Sequence, residues 1–324
     1  MKFKPVYKEL VWGGSKLNSY FNRVISSDHI GESWDVVSHK KGMSIIENGP
    51  LAGSNLQNIF VNYKEELIGF GFESHTKFPL LVKIIDANQK LSVQVHPGDD
   101  YAFIHEDGEL GKTEMWYIID AKEDAKLVVG LKDGVTKADF KAAIETGKTE
   151  RMLNYLAVKK GDVIDIQAGL VHAICEGVML AEIQENSDTT YRIYDWGRVG
   201  LDGEQRQLHV GKSLDVIDFS GNMPTEIVKG RSVYNDNTSI TRYISNQYFE
   251  VDIIDVNDLY MTDTKNSMHI YILIEGHIII KSGGYQLLLN PGDSVLVPAC
   301  VMSPDLLGKG VLLRSFLPMQ PREL

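Results

Sequence analysis

Cysteine is scarce: the chain has two in 324 residues, Cys175 and Cys300, in no CxxC spacing. That speaks against a disulfide scaffold and against a thiolate zinc site. Long apolar runs are missing too, so no window is long and apolar enough to span a bilayer. The first residues, MKFKPVYKELVWGG, are too polar for a signal peptide. Basic charge is in short supply, with 33 Lys and Arg against 44 Asp and Glu, a net charge of −11. This disfavours a nucleic-acid partner, which needs a basic face. A small anionic substrate stays possible, because salt screens the global field beyond about 10 Å. The expectation is a cytoplasmic protein with no membrane and no nucleic-acid partner.

What is present is ordinary globular material. Hydrophobic residues make up 43% and charged residues 24%, enough for a substantial core in one large domain or two ordinary ones. The stretch Leu91–Ile119 organises the rest. It reads as a strand, breaks at Pro97 and a cluster of small polar residues, then resumes as a strand. Gln94 and His96 are two apart, so a strand puts them on one face, roughly 7 Å apart along the chain. Glu114 opens the second strand, beside the apolar run Met115–Ile119. Gln, His and Glu at the edge of an apolar interior make three-quarters of a divalent-metal site, and His172, after a strand and a glycine turn, is the best fourth ligand. The bland reading is that a lone strand histidine is only a hydrogen-bonded side chain. The spacing does not choose between zinc, iron and manganese. His29, His39, His75, His105, His209, His269 and His277 have no partner at ligand spacing and read as solvated or structural. Of these, His105 is the one to watch at the cleft. Cys175 reads as a small buried residue.

Short strands dominate elsewhere. Phe78–Ile85 is nearly all apolar with Lys83 in its middle, and Lys126–Leu131, Asp162–Ile166, Val178–Glu185 and Thr190–Tyr194 follow. Leu56, Ile59, Phe60, Tyr63 and Leu67 have helical spacing after Ser54 as cap. Residues 135–157 read as a helical insert, one helix after a capping box at Thr136–Asp139 and a second over Thr149–Leu156. Residues 211–219 read as a short helix. A polar run from Asn235 marks a boundary, beyond which strands return. An internal repeat links the parts: Gly161–Ala168 resembles Gly292–Ala299, and Glu114–Ile119 matches Met268–Leu273. On that alignment Met268 stands for Glu114 and Ser303 for His172, so the second copy lacks both ligand types. The pattern predicts an all-β chain of two cupin-type jelly-roll barrels with a small helical insertion in the first. Residues 1–235 would form the metal-bearing catalytic unit and 236–324 a unit without metal ligands.

Several charged residues flank the proposed site. Lys83 needs a partner if buried, Lys112 shares Glu114's face, and Arg192 follows Glu182 and Asp188, with Arg198 nearby. For each cation the bland reading is a surface ion pair, which contributes little. Together they suit an anionic sugar phosphate.

Six segments then carry a resemblance: Trp12-Gly-Gly-Ser15, Gly31-Glu-Ser-Trp-Asp35, Ser92-Val-Gln-Val-His-Pro97, Lys112-Thr-Glu-Met-Trp116, Ala168-Gly-Leu-Val-His172 and Tyr191-Arg-Ile-Tyr-Asp-Trp196. The chain resembles type I mannose-6-phosphate isomerases of the short bacterial form, over essentially its whole length. The resemblance implies a zinc-dependent aldose–ketose isomerase that interconverts mannose 6-phosphate and fructose 6-phosphate through a cis-enediol. It implies one Zn²⁺ per chain on Gln94, His96, Glu114 and His172. It implies catalytic roles for Arg192, Lys112 and Glu182, and substrate contacts from Lys83, Ser92 and Asp188. A monomer or homodimer is expected. The competing readings are an Fe(II) cupin oxygenase, another sugar isomerase, and a non-enzymatic sugar-phosphate-binding cupin.

Overall fold

A computed structural model describes residues 1–235, 238–264 and 266–318. The described chain separates into two compact units, one of residues 7–33 and 82–228, the other of 1–6, 34–81 and 229–324. The expected boundary lies between 235 and 236, and of these two residue 236 is outside the described set. Both units are built mainly from antiparallel strands, and the architecture is of the cupin type, with the helical insertion in the unit that spans 82–228.

In that unit two sheets enclose the core. The smaller runs Leu153–Ala157, Lys126–Leu131, His172–Ile174, Val93–Val95, Tyr191–Tyr194. The larger runs Val163–Ile166, Glu114–Ala121, Val178–Glu185, Leu80–Ala87, Ile30–Val36, Val6–Gly14. Between them Ile118, Leu127, Val129, Ile164 and Leu180 are fully buried. Leu80–Ala87 is buried at every position, as a central strand covered on both faces must be. Its sequence therefore runs apolar instead of alternating.

The capping box is present: Thr136 Oγ1 accepts from the Asp139 amide at 3.2 Å, and the Asp139 carboxylate accepts from the Thr136 amide at 3.2 Å. The helix it starts is Lys137–Glu145. The second helical run expected over Thr149–Leu156 is different. It is one 3₁₀ turn, Thr149–Met152, followed by the strand Leu153–Ala157, which pairs with Lys126–Leu131. Met152, Leu153 and Leu156 suit either state, and the open sheet edge decides. Asn55, not Ser54, caps the early helix, its side chain accepting from the Asn58 amide at 2.7 Å. That helix is Leu56–Asn62, and a separate turn, Lys64–Ile68, follows. Within the organising stretch the break holds a short helix, Asp99–His105, of which only Ala102 is buried. One buried residue in seven leaves no period to read.

In the other unit the sheet runs Arg231–Asn235, Thr238–Ser245, Glu250–Met261, Asp305–Phe316, His269–Ser282, and both Tyr285–Leu289 and Ser294–Val297 pair with the last. His269–Ser282 is one long strand. It continues through Gly276 at φ +82°, and its register with Asp305–Phe316 shifts between Leu273 and Glu275.

The internal repeat is real but its register corrects the sequence alignment. Ile166 pairs with Glu114, while Val297 pairs with His269. The turn bonds agree: Gly161 N–H donates to Ile118 O at 2.9 Å and Gly292 N–H to Leu273 O at 2.7 Å. The residue that matches Glu114 is therefore His269, not Met268. Similar apolar strands align almost equally well one residue apart, whereas a ladder cannot slip without turning every side chain over. Ser303, expected to match His172, is exposed.

Candidate metal centre and active site

The ligand candidates come from both sheets of the unit that spans 82–228. Gln94 and His172 face each other directly across the ladder of the smaller sheet, and Arg192 faces Gln94 on its other side. His96 follows the same strand as Gln94. Glu114 opens a strand of the larger sheet, opposite. The nitrogens of His96 and His172 and a carboxylate oxygen of Glu114 all lie within 4.8 Å of one another. Glu114 Oε2 is 3.5 Å from His96 Nε2, and Oε1 is 3.6 Å from His172 Nε2. Gln94 Nε2 is 3.2 Å from His172 Nε2, and a half-turn of that amide presents its oxygen instead. Two glycines let the segments approach. A Cβ at Gly111 would sit 2.5 Å from the Asp99 amide nitrogen, and Gly169 has φ +91° just before the His172 strand.

The protonation states suit a cation. His96 Nδ1–H donates to Thr189 O at 2.8 Å, and His172 Nδ1–H donates to Leu170 O at 2.8 Å. Both Nε2 lone pairs therefore point at Glu114, the arrangement that orients imidazole ligands. Burial, then the Lys112 charge, pulls His96 down to about 4. Burial also lowers His172. Both rings are neutral near pH 7. Burial opposes ionisation of Glu114, but the Lys112 ammonium beside it outweighs burial and holds the carboxyl well below its ordinary range. Glu114 is fully buried, and its Oε1 has no hydrogen-bond donor. The Lys112 ammonium stands 2.8 Å from its Oε2 and 3.0 Å from His96 Nε2. Two neutral imidazoles, a buried carboxylate short of donors and an amide fit a divalent cation.

A row of alternating charge adjoins this cluster. Lys83 Nζ lies 3.0 Å from Glu182 Oε1 and 3.6 Å from Glu32, while Trp116 Nε1–H donates to Glu182 Oε2 at 3.1 Å. Burial alone would discharge Lys83, but Glu182, Glu32 and Asp188 outweigh it and keep it protonated. Asp188 is thus close enough to act on Lys83. Ser92 is buried at the start of the Gln94 strand, on the same face as Gln94. The ten residues expected to hold the metal, act in catalysis or bind substrate all lie in this one unit. His105 does not join the cluster: it is exposed and stacks at 4.1 Å on Tyr101. Cys175 is buried, and burial pushes its thiol up to about 11, so it is unreactive.

Two features were not foreseen. Arg206 joins Arg198 on Asp195, with contacts of 2.7 Å from each, and both press on Arg192 electrostatically. Two guanidiniums grip one carboxylate, and Arg192, whose Nη1–H donates to Gln207 O at 2.9 Å, feels the charge of all three groups. Arg206 sits in an exposed-looking polar run, and nothing in its spacing connects it to Arg192. The second feature is Glu185. It accepts from the Thr113 amide at 2.7 Å and lies against Asp99, and burial together with Asp99 pushes its carboxyl up to about 8. The fold therefore favours protonated Glu185. This adds nothing below pH 4.5, where the unfolded chain is protonated too. Stability falls as pH rises from about 4.5 to 8, at up to about 1.4 kcal/mol per unit. Glu185→Gln keeps the acceptor for Thr113 and removes that loss. Urea unfolding at pH 5 and pH 8 should show the variant gaining on wild type at the higher pH, and parallel behaviour would contradict the raised Glu185 carboxyl.

Among known proteins, residues 1–143 match the family model "Phosphomannose isomerase type I, catalytic domain", and 239–317 match "Mannose-6-phosphate isomerase, cupin domain". The chain is 40% identical to the probable mannose-6-phosphate isomerase GmuF of Bacillus subtilis and 38% identical to ManA of the same organism. Each match covers 91% of this chain and 92% of the relative. The crystal structure of a mannose 6-phosphate isomerase from Bacillus subtilis superposes with a TM-score of 0.91 at 33% identity, over 97% of this chain and 98% of that one. With two sheets converging on His96, Glu114 and His172, and with relatives alike over nearly their whole length, the chain belongs to the type I mannose-6-phosphate isomerases.

Proposed function

We propose that this enzyme interconverts mannose 6-phosphate and fructose 6-phosphate, with one Zn²⁺ held by Gln94, His96, Glu114 and His172. The observation that supports it best is the pair of imidazoles with both Nδ1 protons committed to backbone carbonyls and both Nε2 atoms turned to one buried carboxylate. A bound zinc polarises the sugar's carbonyl and hydroxyl oxygens, which acidifies the adjacent C–H.

The chain's own groups do the rest. The substrate reacts in its open-chain form, with a C1 aldehyde and a C2 hydroxyl. Glu182 takes the proton from C2, and the electrons flow through a cis-enediol to O1. Returning the proton to C1 while the hydroxyl proton passes from O2 to O1 gives the ketose. Arg192 and Lys112 stabilise the negative oxygen as it develops. Lys83 holds the Glu182 carboxylate in place at 3.0 Å and, with Ser92 and Asp188, binds the substrate. Arg198 and Arg206 on Asp195, with Arg192 within their electrostatic reach, give the Arg192 side a surplus of positive charge, which suits a phosphate.

The test is metal analysis joined to a coupled isomerase assay. About one zinc per chain is expected, with turnover of mannose 6-phosphate lost on chelation and restored by zinc. Iron with oxygen uptake and no turnover would replace this reading by the oxygenase. Arg192→Lys keeps the charge and loses the planar fork, so kcat should fall by about 10²-fold with KM little changed. A change in KM alone would move Arg192 from the reacting oxygens to the binding of substrate.

A further inference from the structure

The second unit repeats the inner face of the first, rung by rung, with one difference. In the first, Ile118 and Leu180 form an apolar floor, Trp116 and Glu182 pair above it, and Glu114 pairs with Gln184 above that. In the second, Leu273 and Leu312 form the floor, Tyr271 pairs with Arg314, and His269 pairs with Phe316. Arg314 therefore stands where Glu182 stands. Beyond Glu182 the first unit continues to Lys83 and Glu32. Beyond Arg314 the second continues to Asp252 and Arg242, each directly opposite the next across the ladder. The row Glu32–Lys83–Glu182 has a counterpart Arg242–Asp252–Arg314 with every sign inverted.

The two arginines of this inverted row line a cavity of about 750 Å³, within the range of small-molecule sites. Asp252 Oδ2 lies 2.5 Å from Arg314 Nη2, and its Oδ1 accepts from Arg242 Nε at 2.8 Å. Arg242 also pairs with Glu250. Both guanidiniums lie over the Phe316 ring, at 5.2 and 5.1 Å from its centroid. A purely structural role leaves two observations unexplained. Arg314 Nε and Thr238 Oγ1 face this cavity buried and without a hydrogen-bond partner among the described residues, although Arg314 is 6% and Thr238 2% exposed. Buried donors without partners cost stability, and a buried ion pair of this kind is seldom retained for stability alone.

We propose that this cavity is a second ligand site, separate from the metal centre, for an uncharged hydroxyl-rich molecule of monosaccharide size. The charge balance selects the class. Asp252 pairs with both guanidiniums and Glu250 with Arg242, and Asp263 on the wall is a third carboxylate, so an anion finds no surplus of positive charge. The unpartnered Arg314 Nε–H and Thr238 hydroxyl, with the faces of Tyr234 and Tyr260 on the wall, suit a ring with polar edges and apolar faces.

The experiment uses the full chain carrying His172→Ala, which disables the metal centre, so that failure here leaves the proposed reaction untouched. Saturation-transfer NMR with D-mannose and D-fructose reads binding, with inorganic phosphate as the anionic control. Wild-type second-unit residues should bind at least one of the sugars and not phosphate. Thr238→Val, nearly isosteric, should weaken binding about fivefold, the effect of one lost hydrogen bond. Arg314→Met should abolish it. If Arg314→Met fails to fold, Thr238→Val still decides. No sugar binding, sugar binding unchanged in Thr238→Val, or phosphate binding in place of sugar would overturn the proposal.

Discussion

His172→Ala is expected to leave a folded chain that holds almost no metal and turns over mannose 6-phosphate at least about 10³-fold more slowly. The size of the effect follows from position. His172 is fully buried, its Nδ1–H is committed to Leu170 O at 2.8 Å, and among the described residues its Nε2 converges with one nitrogen of His96 and one carboxylate oxygen of Glu114. Alanine removes a donor that no neighbour replaces. It leaves Glu114 facing a single ring and the Lys112 ammonium, a pairing that keeps the carboxylate tolerable and the fold intact. Circular dichroism should therefore match wild type, while zinc per chain falls from about one to near zero. Full activity, or full metal content, in this variant would defeat the ligand assignment.

Lys83→Met should cost far more stability than a surface substitution, about 3–5 kcal/mol. Lys83 and Glu182 are both 3% exposed, and the lysine is the cation 3.0 Å from Glu182. Methionine fills the space of the stem but strands a carboxylate in the interior. The double variant Lys83→Met with Glu182→Gln should recover most of the loss, because the amide oxygen can still accept from Trp116 Nε1–H and no charge remains. Urea unfolding of wild type, both single variants and the double variant gives the coupling directly. A loss under about 1 kcal/mol in Lys83→Met would mean that solvent, and not the lysine, compensates Glu182.

These two residues also show what could be read in the chain and what could not. His172 was accessible because its residue type is rare, it follows a glycine turn, and it completes a set already suggested by Gln94, His96 and Glu114. Lys83 was conspicuous as a charge inside an apolar strand. Its need for a partner was legible, but not that Glu182 and Glu32 would both supply it. Arg206 was invisible, since a loop arginine gives no periodic signal. The register of the repeat was misread by one residue, because Met268 and His269 sit in similar apolar surroundings and only the ladder tells them apart.

The amino-acid order alone determined the predominance of short strands, the capping box, the doubling of a strand–turn–strand unit and the four ligand types. All of these are local: they depend on side-chain alternation, turn residues and spacing along a few residues. Tertiary structure alone decided which charges neutralise which, that the imidazole protons face backbone carbonyls, that Thr149–Leu156 joins a sheet edge, and that His269 answers to Glu114. Each depends on strands distant in the chain meeting at a particular register, and a hydrogen-bonded ladder sets that register through contacts that no local pattern encodes.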